Sequence, residues 1–257
     1  MGFKVTILGS GTIAPQLSRS ACSVLIESGE QVMLLDLGPG TIRRLLEYGL
    51  GINDITHLFL SHFHPDHTSD LVPLLFATKY SENHLRVQQL QLYAGDGFIA
   101  FYQGLQVAYK DWIVLPGHQL AIHEIDTLAG ASFSTGDIAV TARPVDHRPE
   151  SMAYRFEDRS GTAIVYSGDT DACDSLIRLA HGADLLICES AYPDEMKTVG
   201  HLTPSQAGGI AQTAEAKRLV LTHLYPPCDQ VDIAKQAASQ YKGPVIVAED
   251  LMSFVFE

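Results

Sequence analysis

His62-Phe63-His64-Pro65-Asp66-His67 follows the apolar run Leu58-Phe59-Leu60-Ser61. Three imidazoles and a carboxylate crowd into six residues at the end of a short buried strand. Imidazole and carboxylate are the common protein ligands of zinc and related divalent ions. His62 and His64 are two apart on a turn leaving a strand, so both rings can aim at one ion. Asp66 and His67 are adjacent and must point differently, which suits a second ion. One turn cannot close two tetrahedral sites, so the rest of the chain is expected to supply the missing ligands.

Working outward, His147, Asp169 and His223 each follow a strand pattern: 138–145, 162–167 and 219–222. Further strand patterns cover 5–8, 21–26, 31–36, 57–61, 89–94, 119–125, 152–156, 185–189 and 244–248. Helical periodicity marks 39–48, 66–79, 172–181, 204–214 and 231–241. Residues 95–117, with Tyr102, Tyr109 and Trp112, read as a helix plus a flap over a pocket, and His118 is a flap candidate. Strands paired as hairpins and mixed with helices in both halves predict an α/β fold. The expected architecture is a four-layer αββα sandwich, two mixed sheets face to face with helices outside, in a single domain over 1–257. Strand ends along one edge are where such folds place chemistry.

The chain carries 17 Lys+Arg against 30 Asp+Glu, a formal charge of −13. That balance disfavours a sequence-independent grip on a nucleic-acid backbone. A small anionic substrate stays compatible, because bound cations invert the local field. Cys22, Cys173, Cys188 and Cys228 form no C-x-x-C and read as free thiols in a reducing compartment. No signal-peptide pattern and no apolar run long enough to span a bilayer is present, so a cytoplasmic location with no membrane partner is expected. Gly9-Ser10-Gly11-Thr12-Ile13-Ala14 matches a loose dinucleotide fingerprint, but Pro15 follows at once and leaves no room for a crossover helix. The stretch is better read as a Gly-rich turn near the site, with Asp36 as a buried support hydrogen-bonded to the motif loop. His57, His84, His123 and His181 read as ordinary histidines. Tyr192 and Tyr225 follow site motifs as candidate pocket walls.

Leu35-Asp36-Leu37-Gly38, the 62–67 motif, Asp146-His147, Ser167-Gly168-Asp169-Thr170, Cys188-Glu189-Ser190-Ala191, Gly200-His201-Leu202-Thr203 and Leu221-Thr222-His223 occur in that order along nearly the whole chain. In these pieces the chain resembles the metallo-β-lactamase superfamily of metal-dependent hydrolases, and within it the ribonuclease Z and phosphodiesterase branch. The resemblance implies two divalent ions, zinc or else manganese or iron. His62, His64 and His147 would hold the first, and Asp66, His67 and His223 the second, with Asp169 bridging them. A bridging water acidified to hydroxide would be the nucleophile, oriented by Asp66. His201, outside the ligand set, would contact the phosphate and assist the leaving group, steadied by Glu189. A homodimer is likewise implied.

The favoured activity is phosphodiester hydrolysis of a small-molecule or nucleotide ester. Processing of tRNA 3′ ends is an alternative. Long ribonuclease Z chains carry an extended arm between the motifs matching His147 and Asp169, and here residues 148–168 suffice only for a hairpin, so RNA is the less favoured partner. Arylsulfate, lactone or thioester hydrolysis on the same metals, and a metal-holding sensor without turnover, complete the alternatives.

Overall fold

The structure is a computed structural model that describes residues 2–80 and 86–257. His84 lies outside the described residues. Strands β1 (Lys4–Gly9), β2 (Ser23–Ser28), β3 (Gln31–Leu35), β4 (His57–Phe59), β5 (Leu90–Gly95) and β6 (Leu120–Ile125) lie side by side in that order. A second sheet runs through β7 (Ala131–Thr135), β8 (Ile138–Pro144), β9 (Met152–Glu157), β10 (Ala163–Tyr166), β11 (Leu185–Glu189), β12 (Leu219–Thr222) and β13 (Val245–Val247). The last strand, β14 (Met252–Val255), returns to the first sheet beside β1, giving two seven-stranded sheets. Both are mixed: β1–β3 and β7–β10 pair antiparallel, whereas β3–β6 and β10–β13 run parallel.

Period-two alternation explains the layers. Val24, Ile26, Met33, Leu35, Ile164, Tyr166, Ile187 and Val220 point between the sheets into one core. Their neighbours Leu25, Leu34 and Leu58 point outward, under helices α1 (Thr41–Tyr48), α3 (Leu71–Tyr80) and α4 (Phe98–Tyr109). On the other side Val165, Leu186, Leu219 and Leu221 pack under α5 (Asp174–Leu179), α6 (Pro204–Thr213) and α7 (Ile233–Ala238). Strands covered on both faces read as unbroken apolar runs rather than as alternation. The four-layer αββα sandwich is therefore the fold.

Several details depart from the sequence reading. The helix expected over 66–79 is two, α2 (Pro65–Thr68) and then α3. Between them Asp70 donates its N–H to Leu37 O and accepts the Ile42 N–H at 3.0 Å, so the break ties the motif to α1. β7, too polar to announce itself, pairs with β8 as an edge hairpin. Residues 95–117 form α4 and a 3₁₀ turn (Lys110–Ile113). His118 is exposed at the start of β6, on the sheet edge opposite the 62–67 turn, so it is not a flap residue of the site.

His57 is buried between two hydroxyls, with Nδ1 2.8 Å from Thr56 Oγ1 and Nε2 2.6 Å from Thr135 Oγ1. Burial, helped by His123, pushes its pKa down to about 4. The unfolded chain takes up this proton near pH 6.5, while the folded chain refuses it until about pH 4. The contribution of neutral His57 is therefore whole above pH 6.5 and lost as pH falls to 4. The stability advantage of wild type over His57→Gln, measured by urea unfolding, is expected to shrink by about 2–3 kcal/mol between pH 7 and pH 4.

Candidate metal and active site

The chain leaves β3 at Asp36, a non-glycine residue with φ 58°. Its carboxylate is fully buried. Oδ1 accepts from Ser61 N at 2.7 Å. Oδ2 accepts from Ser61 Oγ and His67 Nδ1, each at 2.7 Å, and from Tyr166 OH at 2.6 Å. One side chain thus joins β3, the turn after β4, α2 and β10. The sequence reading of Asp36 as a buried support holds. Ser61 and Tyr166 were missed; the lone hydroxyl at the end of Ala163-Ile164-Val165-Tyr166 was the available signal. Gly38 permits the closure, because a Cβ there would lie 1.9 Å from Asp66 O.

These contacts decide which ring atoms face the site. Ser61 Oγ spends its proton on Asp36 and so accepts from His62 Nδ1 at 3.0 Å. His67 Nδ1 donates to Asp36, and His147 Nδ1 donates to Gly200 O at 2.8 Å. In all three, Nε2 is turned inward, the arrangement by which carboxylate or carbonyl partners orient metal-binding imidazoles.

All seven sequence-predicted ligands meet. His62, His64, His147 and Asp169 place one ligand atom each within 4.8 Å of one another, and Asp66, His67 and His223 do the same. Asp169 stands between the groups: Oδ1 is 3.3 Å from His67 Nε2, and Oδ2 is 3.7 Å from His62 Nε2 and 3.4 Å from His223 Nε2. His223 Nε2 is also 3.5 Å from Asp66 Oδ2. The Gly-rich N-terminal turn does reach the site, since Ile13 N donates to Asp66 Oδ2 at 3.3 Å. The Tyr192 and Tyr225 rings stack at 4.5 Å, and the Tyr225 ring lies 5.9 Å from that of His223.

His62 Nε2, His67 Nε2, Asp169 Oδ1 and both ring nitrogens of His223 are buried without a hydrogen bond. Buried lone pairs left unpaired are costly. A hard or borderline divalent cation is the species that this N/O donor set suits. The electrostatics agree. Burial alone would raise the Asp169 pKa, but the charges of His223 and His67 hold it well below the ordinary carboxylate range. Burial would lower His67, yet Asp169 and Asp36 raise it well above its usual value. The centre draws positive charge inward, and metal and proton compete for it.

His201 lies just before α6, whose N-terminus is closed by a Thr203–Gln206 capping box. Its Nδ1 donates to Glu189 Oε1 at 3.0 Å and is 3.8 Å from Asp169 Oδ2. Glu189 ends β11 fully buried and also accepts from Thr170 N at 2.8 Å, Leu202 N at 3.2 Å and Ala191 N at 3.3 Å. Burial raises the Glu189 pKa, but the converging donors define it as an acceptor. Burial likewise lowers His201, and the Glu189 hydrogen bond and charge outweigh it, lifting its pKa to about 9. The protonated form of His201 is thus favoured, with Nδ1 held by Glu189.

A family model described as "Beta-lactamase superfamily domain" matches residues 33–224. Ribonuclease Z of Methanothermobacter thermautotrophicus is 26% identical to the chain, over 97% of it and 95% of the relative. A metallo-beta-lactamase fold protein from Bacillus subtilis superposes with TM-score 0.84 at 26% identity, covering 99% of each chain. The short form of human tRNase Z does so with TM-score 0.78 at 26% identity, covering 98% of each.

Asp36→Ala would orphan four buried donors at once. It is expected to lower the unfolding free energy by about 3–5 kcal/mol, read as a fall in the urea midpoint of the metal-free protein. A loss no larger than that of an average surface substitution would refute the assignment of Asp36 as the keystone.

Proposed function

Because the chain belongs to the beta-lactamase superfamily, in its ribonuclease Z-like branch, we propose that this hydrolase is a dinuclear metal-dependent phosphodiesterase. The observation that carries the reading is the convergence of two ligand groups on Asp169, with buried ring nitrogens left unpaired around it. His62, His64 and His147 would hold one divalent cation and Asp66, His67 and His223 the other, with Asp169 shared. Zinc suits the donors; manganese or iron are alternatives. Such a pair of cations supplies Lewis acidity and an acidified water as nucleophile.

The chain's own groups do the rest. Asp66, whose carboxyl His223 and His67 keep ionised against burial, orients the attacking water. His201 binds a phosphoryl oxygen and gives the Nε2 proton to the departing oxygen. Glu189 holds Nδ1, fixing which nitrogen carries that proton and stabilising the cation before transfer.

A small or nucleotide ester is the favoured substrate, since β9 and β10 are joined by the short turn 158–162 rather than by an arm. The second reading, tRNA 3′ processing, is supported by similarity to ribonuclease Z and tRNase Z over 95% and 98% of those chains. A precursor tRNA assayed beside bis-p-nitrophenyl phosphate separates the two.

Elemental analysis of the purified protein should find close to two divalent ions per chain, and Asp169→Ala should lose most of both. Full turnover after exhaustive chelation would overturn the metal reading. His201→Ala should keep its metals and lose about 10²–10⁴ in kcat on esters with alkoxide leaving groups. It should lose far less on p-nitrophenyl esters, whose leaving group needs no proton. An equal loss on both would remove His201 as the acid.

A further inference from the structure

Arg148 follows His147 directly. Its main chain is fixed by reciprocal bonds with Ser151: Arg148 N donates to Ser151 Oγ at 3.0 Å, and Ser151 N donates to Arg148 O at 2.9 Å. Ser151 itself is buried. The side chain, in contrast, is exposed. Of the ten arginines in the chain, Arg148 alone among the described residues has a guanidinium with no carboxylate, carbonyl or ring partner. The others are engaged by carboxylates, by main-chain carbonyls or, for Arg218, by the Phe256 ring.

In a chain of net charge −13, an unpaired guanidinium is conspicuous, and its position makes it more so. Its neighbour His147 places Nε2 3.2 Å from His64 Nδ1, so the Arg148 main chain starts one residue from the ligand cluster. Cations held by that cluster would repel a guanidinium beside it. Such a placement becomes favourable once an anion lies between them. Guanidinium presents a planar fork that matches the oxygens of phosphate or carboxylate bidentately.

We infer that Arg148 is an anion clamp at the His64–His147 side of the site, which binds the charged oxygens of a phosphodiester substrate. The inference rests on the phosphodiesterase reading above and assigns one residue to substrate selection. Arg148 acts in binding and positioning: the root held by Ser151 places the fork, and the free head closes on the anion. Neutral esters would gain nothing from it.

The test compares metal-loaded wild type with Arg148→Met and Arg148→Lys. Two substrates are used, anionic bis-p-nitrophenyl phosphate and its neutral methyl triester, with calorimetric titration of inorganic phosphate alongside. Arg148→Met should raise KM for the anionic diester and Kd for phosphate about 10- to 100-fold. Metal content should hold and KM for the triester should stay put, while Arg148→Lys recovers part of the loss. Unchanged phosphate affinity, or equal KM shifts for diester and triester, would overturn the clamp. Should wild type cleave neither ester while phosphate affinity still falls on substitution, the phosphodiesterase reading fails and the clamp stands.

Discussion

The site depends on one buried carboxylate. Asp36 accepts four hydrogen bonds from Ser61, His67 and Tyr166, and so ties the strand leading to Asp169 to the turn that carries His62 and His67. A charged acceptor sealed from water is tolerated only when its lone pairs are filled. Here the filling groups are the very ones that must be oriented. Ser61 passes the constraint to His62, Tyr166 anchors the strand leading to Asp169, and His67 is gripped directly. The cost of burying Asp36 is offset by geometry at several positions at once, so the turn at 62–67 has little freedom to collapse when its inward nitrogens lack a partner.

Backbone strain lies in the same places. Asp36 and His223 both adopt left-handed φ, 58° each, a region that costs non-glycine residues of order 1 kcal/mol. Each sits at the last turn of a strand, where extended backbone would carry its side chain past the edge of the sheet. The left-handed turn instead folds the side chain back over the strand end. Gly168 makes the equivalent turn before Asp169 with φ 57°, where an added Cβ would come within 2.5 Å of the Ser61 Cβ. Three strand ends are thus curled inward, two by strained residues with chemistry of their own and one by the glycine that crowding demands.

Much of this was legible in the sequence. The 62–67 turn announced metal chemistry, the strand ends at His147, Asp169 and His223 told where to look for partners, and apolar runs with interspersed helices foretold two covered sheets. What stayed hidden has physical reasons. The break at Ser69–Asp70 has no proline or glycine, because a tertiary bond from Leu37 makes it. β7 is polar on its open face and is held by pairing rather than by its own pattern. His118 lies near aromatic residues in sequence, but the direction of β6 puts it on the wrong edge. Side-chain tautomers, which decide what the histidines present, follow only from contacts between distant segments such as His147 with Gly200.

Charge ties the global and local pictures together. The chain carries a net charge of −13, and among the described residues every arginine side chain but that of Arg148 has an intramolecular partner. On the proposed reading, recognition of an anion would fall to His201, just before α6, and Arg148, after the end of β8. A polynucleotide is gripped through many phosphate contacts, and its affinity falls steeply with salt as those contacts multiply. His201, whose ring lies 4.9 Å from that of His147, and Arg148, the next residue after His147, would instead suit the oxygens of a single ester. The distribution of charge, more than the fold, therefore argues for a compact substrate.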